Sequence, residues 1–246
     1  IKYELIRKTS ETGKYVPWED LYHVLGYIYL LLSVLVVLIC SVIFSIDHAR
    51  NMNQILLVTK YGRNQMIHAK LIGGTIVSVC LFAIFHLLNF GIFSLMYDTR
   101  GWNSNIQTNY LAMELFEFPL NWNHLQVYGL ILVLQLAGIL FTVGITLFIS
   151  SLARSPMSAL ALSLGCYLLP QLLLQVFNSG LLNRLLYLFP ITHLDIRKAL
   201  LILSSKGTFF LPSFMQNTIL IITVLLLGRG ISNFLCFKHM KAWRFN

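Results

Sequence analysis

Five apolar runs, each long enough for a membrane helix, constrain this chain more than any other feature. They cover about Tyr22–Ile46, Leu71–Tyr97, Leu125–Ser151, Met157–Phe177 and Phe209–Gly228. A helix needs about 20 mostly apolar residues to cross a hydrocarbon layer of about 30 Å. Backbone groups in that layer must bond internally, so helices of this length are the expected solution. The fold class is therefore all-α: residues 1–246 form a single transmembrane domain, a polytopic helical bundle. Composition agrees, with 57% hydrophobic and 11% charged residues, where a soluble domain carries about 25% charged.

The net charge of +9 belongs to the connecting segments and to contact with anionic lipid of the bilayer. No compact basic domain or nucleic-acid motif accompanies it, so no nucleic-acid partner is expected. Cys40, Cys80, Cys166 and Cys236 contain no CxxC pair, so they read as packing residues, with neither a metal site nor a disulfide framework expected.

The long polar insert between the first two runs is Asp47–Lys70, basic through Arg50, Lys60, Arg63 and Lys70. Ala49, Met52, Ile55, Leu56 and Thr59 recur at helical spacing, with His48, Arg50, Asn51 and Gln54 facing elsewhere. Gly62 allows a turn, and a second helical piece leads through Lys70 into the next span. Such a helix either docks on a partner or lies on the headgroups.

Polar residues inside the runs are few. His86 and Asn89 stand three apart in the second, Gln135 is the amide in the interior of the third, and Gln171 and Gln175 stand four apart in the fourth. Polar groups at such depth face protein or water. Each of these is a candidate for a translocation path or for an interhelical hydrogen bond. Gly73, Gly74, Gly138, Gly144, Ser150 and Ser151 offer small positions for close helix contact. Trp18, Tyr22, Tyr27 and Tyr29 are expected at headgroup level or just below it. Between the second and third runs, Ile106, Tyr110, Met113 and Leu115–Phe116 suggest a short interfacial helix.

Local punctuation adds detail. Ser155 is a good N-cap and Pro156 a good first helical residue for the fourth run. Leu181–Phe189 is apolar but too short to span, Pro190 breaks it, and Thr192-His193-Leu194-Asp195 reads as a capping box opening a helix through Leu203. Two short helices about a proline suggest a re-entrant or interfacial hairpin before the last span. The tail carries Arg229, Lys238, Lys241 and Arg244.

The string LLVTKYGRNQMIHAK and the order of spans around it resemble the type-2 ATP-binding-cassette (ABC) exporter permease family. In that family an acidic residue ends the second span and a short coupling helix follows. A leucine-rich stretch, a turn, a basic residue and a lysine about two turns later complete the pattern. The matching positions are Asp47, the helix from about Arg50 to Val58, Lys60-Tyr61-Gly62-Arg63, and Lys70. Asp47 departs from the more usual glutamate. The helical insert before the last span fits the same family. The resemblance implies that Arg50, Met52, Ile55, Leu56, Tyr61 and Arg63 couple the chain to a separate ATPase. It implies ATPase subunits carrying ATP and Mg, a second permease subunit, and a bacterial plasma membrane. Arg63 and Lys70 would anchor to lipid phosphates or acidic ATPase residues.

The chain has no Walker A pattern or phosphate loop, so no cofactor is expected on it and it is not expected to be an enzyme. A secondary transporter would need an acid within a span, and no apolar core holds one. An intramembrane enzyme would need a catalytic set, but no GxSG, HExxH or paired-carboxylate motif occurs, leaving His86 alone. A structural or regulatory membrane subunit would share the spans without the coupling. For orientation, the side holding Asp47–Lys70, Arg154 and the tail has nine Lys or Arg in a short length. The opposite side has nine over a longer one. The density of positive charge places the first side, and the C-terminus, in the cytoplasm. Ile1 then lies outside, and a sixth span upstream of it is the expectation for the complete protein.

Overall fold

The computed structural model describes residues 16–50, 64–97, 102–103, 105–106, 119–177, 179–204 and 209–242. Their order is α1 (Val16–Ala49), α2 (Gln65–Met96), α3 (His124–Leu152), α4 (Pro156–Val176), α5 (Gly180–Leu186), a 3-10 turn (Pro190–His193), α6 (Ile196–Ser204) and α7 (Phe214–Ala242). Five of these, α1, α2, α3, α4 and α7, are long and apolar enough to cross a membrane. Four of the five predicted spans fall within a few residues of their helices.

The last span differs. Its helix opens at Phe214 rather than Phe209 and runs on to Ala242 instead of stopping at Gly228. Pro212 and a polar pin explain the late start: Asn217 Oδ1 accepts the Leu211 amide and its Nδ2 donates to the Leu211 carbonyl, both at 2.9 Å. This holds the preceding chain outside the helix. The late finish follows from Ile231, Phe234, Leu235 and Cys236, which carry apolar character past Arg229. Arg229 and Lys238 are thus helical residues rather than parts of a tail.

Helix α3 is the axis of the bundle, packed against α1, α2, α4 and α7. Its small residues are the reason. A Cβ at Gly138 would overlap the Tyr29 hydroxyl, and one at Gly144 would meet Arg229 Cδ at 2.9 Å. On α2 the close contact falls to Gly74, where a Cβ would lie 3.1 Å from Ile43 Cδ1, while Gly73 faces open space. Packing of small residues supplies much of the association energy between helices in lipid, where apolar burial supplies little.

Helix α4 starts as its sequence predicts, with the Ser158 amide bonded to Ser155 Oγ at 3.2 Å and Pro156 in the first turn. The predicted box at Thr192 is not the cap of α6. Thr192 Oγ1 donates back to the Phe189 carbonyl at 2.6 Å, and Asp195 Oδ1 takes the Lys198 amide at 3.1 Å. The 3-10 turn uses Thr192 internally, so the cap moves three residues on.

The two ends of the bundle are built differently. At one, Trp18, Tyr22, Leu25, Phe93 and Tyr128 join a buried cluster. Trp18 stacks on His124 with centroids 5.1 Å apart and tilts on Phe93 at 5.3 Å. The Tyr22 hydroxyl lies 3.2 Å from both His124 Nδ1 and the His124 carbonyl oxygen. Trp18 and Tyr22 point into protein, against rings on α2 and α3, and Tyr29 points into protein against Gly138 of α3; Tyr27 alone of that set is exposed. The predicted interfacial helix falls outside the described residues except at Ile106, whose amide bonds the Trp122 carbonyl at 3.0 Å.

Candidate functional site

The other end of the bundle carries the polar constellation. Helix α1 brings Asp47 to its last turn, and α2 places Lys70 in its second turn. The Lys70 ammonium pairs with Asp47 Oδ2 and donates to the Ile43 carbonyl at 2.7 Å. It also stands 5.3 Å from the centre of the Phe44 ring. Lys70 is thus engaged within the chain, on the helical piece expected there, with its ammonium turned to α1.

Helix α3 adds a second tie at the same level. Ser150 Oγ donates to the Ser41 carbonyl at 2.7 Å and accepts the amides of Phe44 and Ser45, each at 3.1 Å. A hydroxyl inserted among the backbone groups of a helix fixes that turn to its neighbour. Ser45 Oγ bonds the Ser41 carbonyl from within α1. Residues 41–47 of α1 are in this way bound to α2 through Lys70 and to α3 through Ser150. Ser150 was visible in the sequence only as a small residue. Nothing in its spacing announces that it bonds a neighbouring backbone.

Of the expected coupling residues, Arg50 is described: it is exposed one residue beyond α1, its amide bonded to the Ile46 carbonyl at 3.1 Å. Met52, Ile55, Leu56, Tyr61 and Arg63 lie outside the described residues. The end of α1 and the start of α2 are joined by the Asp47–Lys70 pair.

The expected path residues are not brought together. Gln135 is buried in α3 and its Nε2 reaches the Leu25 carbonyl of α1 at 3.4 Å, the interhelical bond that is one of its two readings. His86 is buried against Phe82, ring centroids 4.2 Å apart. Neither of its ring nitrogens, nor Asn89 Nδ2, has a hydrogen-bond partner among the described residues, so the interhelical bond expected of this pair is not made. Gln171 and Gln175 share a face of α4, and both are exposed on the outside of the bundle. They make no bond to a neighbouring helix among the described residues, because the buried face of α4 is the one carrying Ala159, Ser163, Tyr167 and Pro170.

Arg229 is the residue that sequence reasoning misplaced. It lies against Gly144, bonded to the Leu140 carbonyl at 3.3 Å and to Thr75 Oγ1. The return of apolar residues after Gly230 was the signal that could have found it. Among the described residues, no group of three or more His, Cys, Asp or Glu is arranged to hold a metal. All four cysteines are free. Comparison with protein-family models, curated proteins and solved structures gives no match to the chain.

Proposed function

We propose that this chain is the membrane subunit of an ATP-driven exporter of the ABC permease kind. It would work in a bacterial plasma membrane with its C-terminus in the cytoplasm, paired with a second permease chain and with separate ATPase subunits. One observation carries the reading: the two helix ends that flank the basic segment are joined by the Asp47–Lys70 pair, and the end of α1 is tied to α3 through Ser150. A load passed to those ends would reach α1, α2 and α3 together.

Coupling requires an element whose contacts differ between two states of a motor and which passes the difference on. In this reading the segment from Arg50 to Arg63 seats on the ATPase. ATP and Mg, held by the partner, close the ATPase pair, and the joined helix ends carry that motion into the three helices. The α5–α6 region would serve as the re-entrant hairpin before the last span. The cargo path would run between two copies, where α4 offers Gln171 and Gln175.

The test is co-purification in mild detergent with the products of neighbouring genes. A P-loop ATPase recovered at fixed stoichiometry, with its activity altered by Leu56→Asp or Tyr61→Asp, supports the proposal. Recovery of the chain without an ATPase moves the assignment to a structural or regulatory membrane subunit. Recovery of an ATPase indifferent to both variants removes the docking role.

A further inference from the structure

We propose that Arg229 is the centre of an oxyanion-binding site inside the bundle, opening between α2 and α7. The site stands about 12 Å inside the end of α3, from the eight residues that separate Gly144 from Leu152. That depth lies within a hydrocarbon layer of about 30 Å. A guanidinium stays charged there, and a charge at such depth is found paired or facing a polar cavity.

The described residues do not neutralise it. Its two hydrogen bonds go to neutral oxygens, the Leu140 carbonyl and the Thr75 hydroxyl. The acids with described side chains are Asp20, Asp47 and Asp195. Asp47 is paired with Lys70, Asp195 with Lys198, and Asp20 stands at the opposite end of α1. A guanidinium offers five N–H donors in a planar fork, so donors remain beyond those two bonds. The ligand that matches a fork of this kind is an oxyanion, a phosphate or a carboxylate.

The surroundings support a ligand rather than a simple structural tie. Asn233 lies one turn along α7 on the same face, and its side-chain oxygen is buried without a partner. An asparagine amide turned about its last bond presents its NH2 there instead, a second donor for the same anion. Arg229 and Thr75 are only partly buried. Exposed Ile72 and Ile76 flank Thr75, and Gly230 beside Arg229 is exposed. The way in is therefore from the lipid-facing side, which favours the head of an amphiphile over a solute from water. This inference does not depend on an ATPase partner.

The experiment follows the thermal unfolding of the purified chain in neutral detergent. The additives are dioctanoyl-phosphatidylglycerol, dioctanoylglycerol with the same tails, and inorganic phosphate. The phosphatidylglycerol should raise the midpoint by about 4 °C, the shift expected of a ligand well above its dissociation constant. Dioctanoylglycerol should leave it in place. Arg229→Gln should abolish the shift and Arg229→Lys, a point charge without the fork, should at least halve it. Arg154→Gln, which removes an exposed cation of the α3–α4 turn, should keep it whole. A rise with phosphate as well assigns the oxyanion to the aqueous phase; a rise with phosphatidylglycerol alone assigns it to the bilayer. An equal shift in the wild type and Arg229→Lys, or no shift with either anion in the wild type, overturns the site. If Arg229→Gln does not fold, the lysine variant decides.

Discussion

The two ends of this bundle share a buried apolar core but differ in what is added to it. At the Trp18 end, α1, α2 and α3 meet through stacked and tilted rings, with Trp18, Tyr22, Phe93 and His124 in one buried cluster. At the Asp47 end, Phe44, Ile67, Leu71 and Leu147 pack the same three helices, and an ion pair and one serine hydroxyl set among backbone groups are added to them. Aromatic packing is spread over many weak contacts, so it resists the loss of any one of them and tolerates little change of shape. A pair of charged groups and one hydroxyl add a few directional bonds to the packing. The first arrangement suits an anchor. The second suits a joint, since those few bonds fix the direction in which the helix ends are held.

The contrast predicts different mutational signatures. Trp18→Ala should have the largest effect on stability, about 3–4 kcal/mol, as for other buried aromatics cut back to alanine. In a coupled complex it should leave the ATPase response of the folded fraction unchanged. Thermal unfolding and ATPase assays on one preparation would separate the two. A stable Trp18→Ala protein would mean that the aromatic end is not the anchor.

His193 lies in the 3-10 turn that packs against α3 and α4, with Pro190 seated at Gly138, halfway along α3. Burial pushes its pKa down from 6.5 to about 4, outweighing the opposite pull of the Tyr187 carbonyl. Because the folded value lies below the unfolded one, the unfolded chain binds more protons between those limits. Stability is therefore full above pH 6.5 and falls as the pH drops toward 4, by about 3 kcal/mol at most from this residue. His193→Leu should flatten that part of the pH profile of the midpoint. An unchanged slope would show that His193 is not held neutral.

Much of this architecture was legible from the sequence, for a physical reason. Hydrocarbon leaves the backbone almost no choice but the helix, so run length alone located five spans. The start of α4 was legible because a serine followed by proline meets two local requirements at once. What escaped was whatever depends on a neighbour. A basic residue after an apolar run looks like a tail, and only α3's Gly144 and α2's Thr75 show Arg229 to be inside. Trp18 and Tyr22 look like interfacial aromatics until His124 and Phe93 are placed beside them. The polar joint was half legible: Asp47 and Lys70 stood out by charge and by the family resemblance, whereas Ser150 carries no sign of its role.

The joint yields a smaller stability effect than the anchor and a larger functional one. Lys70→Met leaves Asp47 without its partner. Side-chain exposures of 22% for Lys70 and 12% for Asp47 let water offset part of that loss. The expected cost is about 2 kcal/mol, below that of a fully buried pair. Asp47→Leu combined with Lys70→Met should recover most of the stability without restoring any response of an ATPase to the chain. If the double variant couples normally, the pair is a structural tie and nothing more.

The smallest stability effect belongs to α4, which touches neither arrangement through its glutamines. Gln171 and Gln175 are exposed and unbonded to other helices among the described residues. Changing both to leucine should move the unfolding midpoint by less than the equivalent of about 0.5 kcal/mol, as for surface positions generally. Flux carries the information instead. If α4 lines a path between two copies, two leucines there dry a polar wall and slow the passage of a polar cargo, while ATPase assembly is untouched. If α4 faces lipid, the same change is silent in transport as well, and the path must lie along a different face. Measuring flux and midpoint on the same variant therefore locates the cargo route relative to the joint.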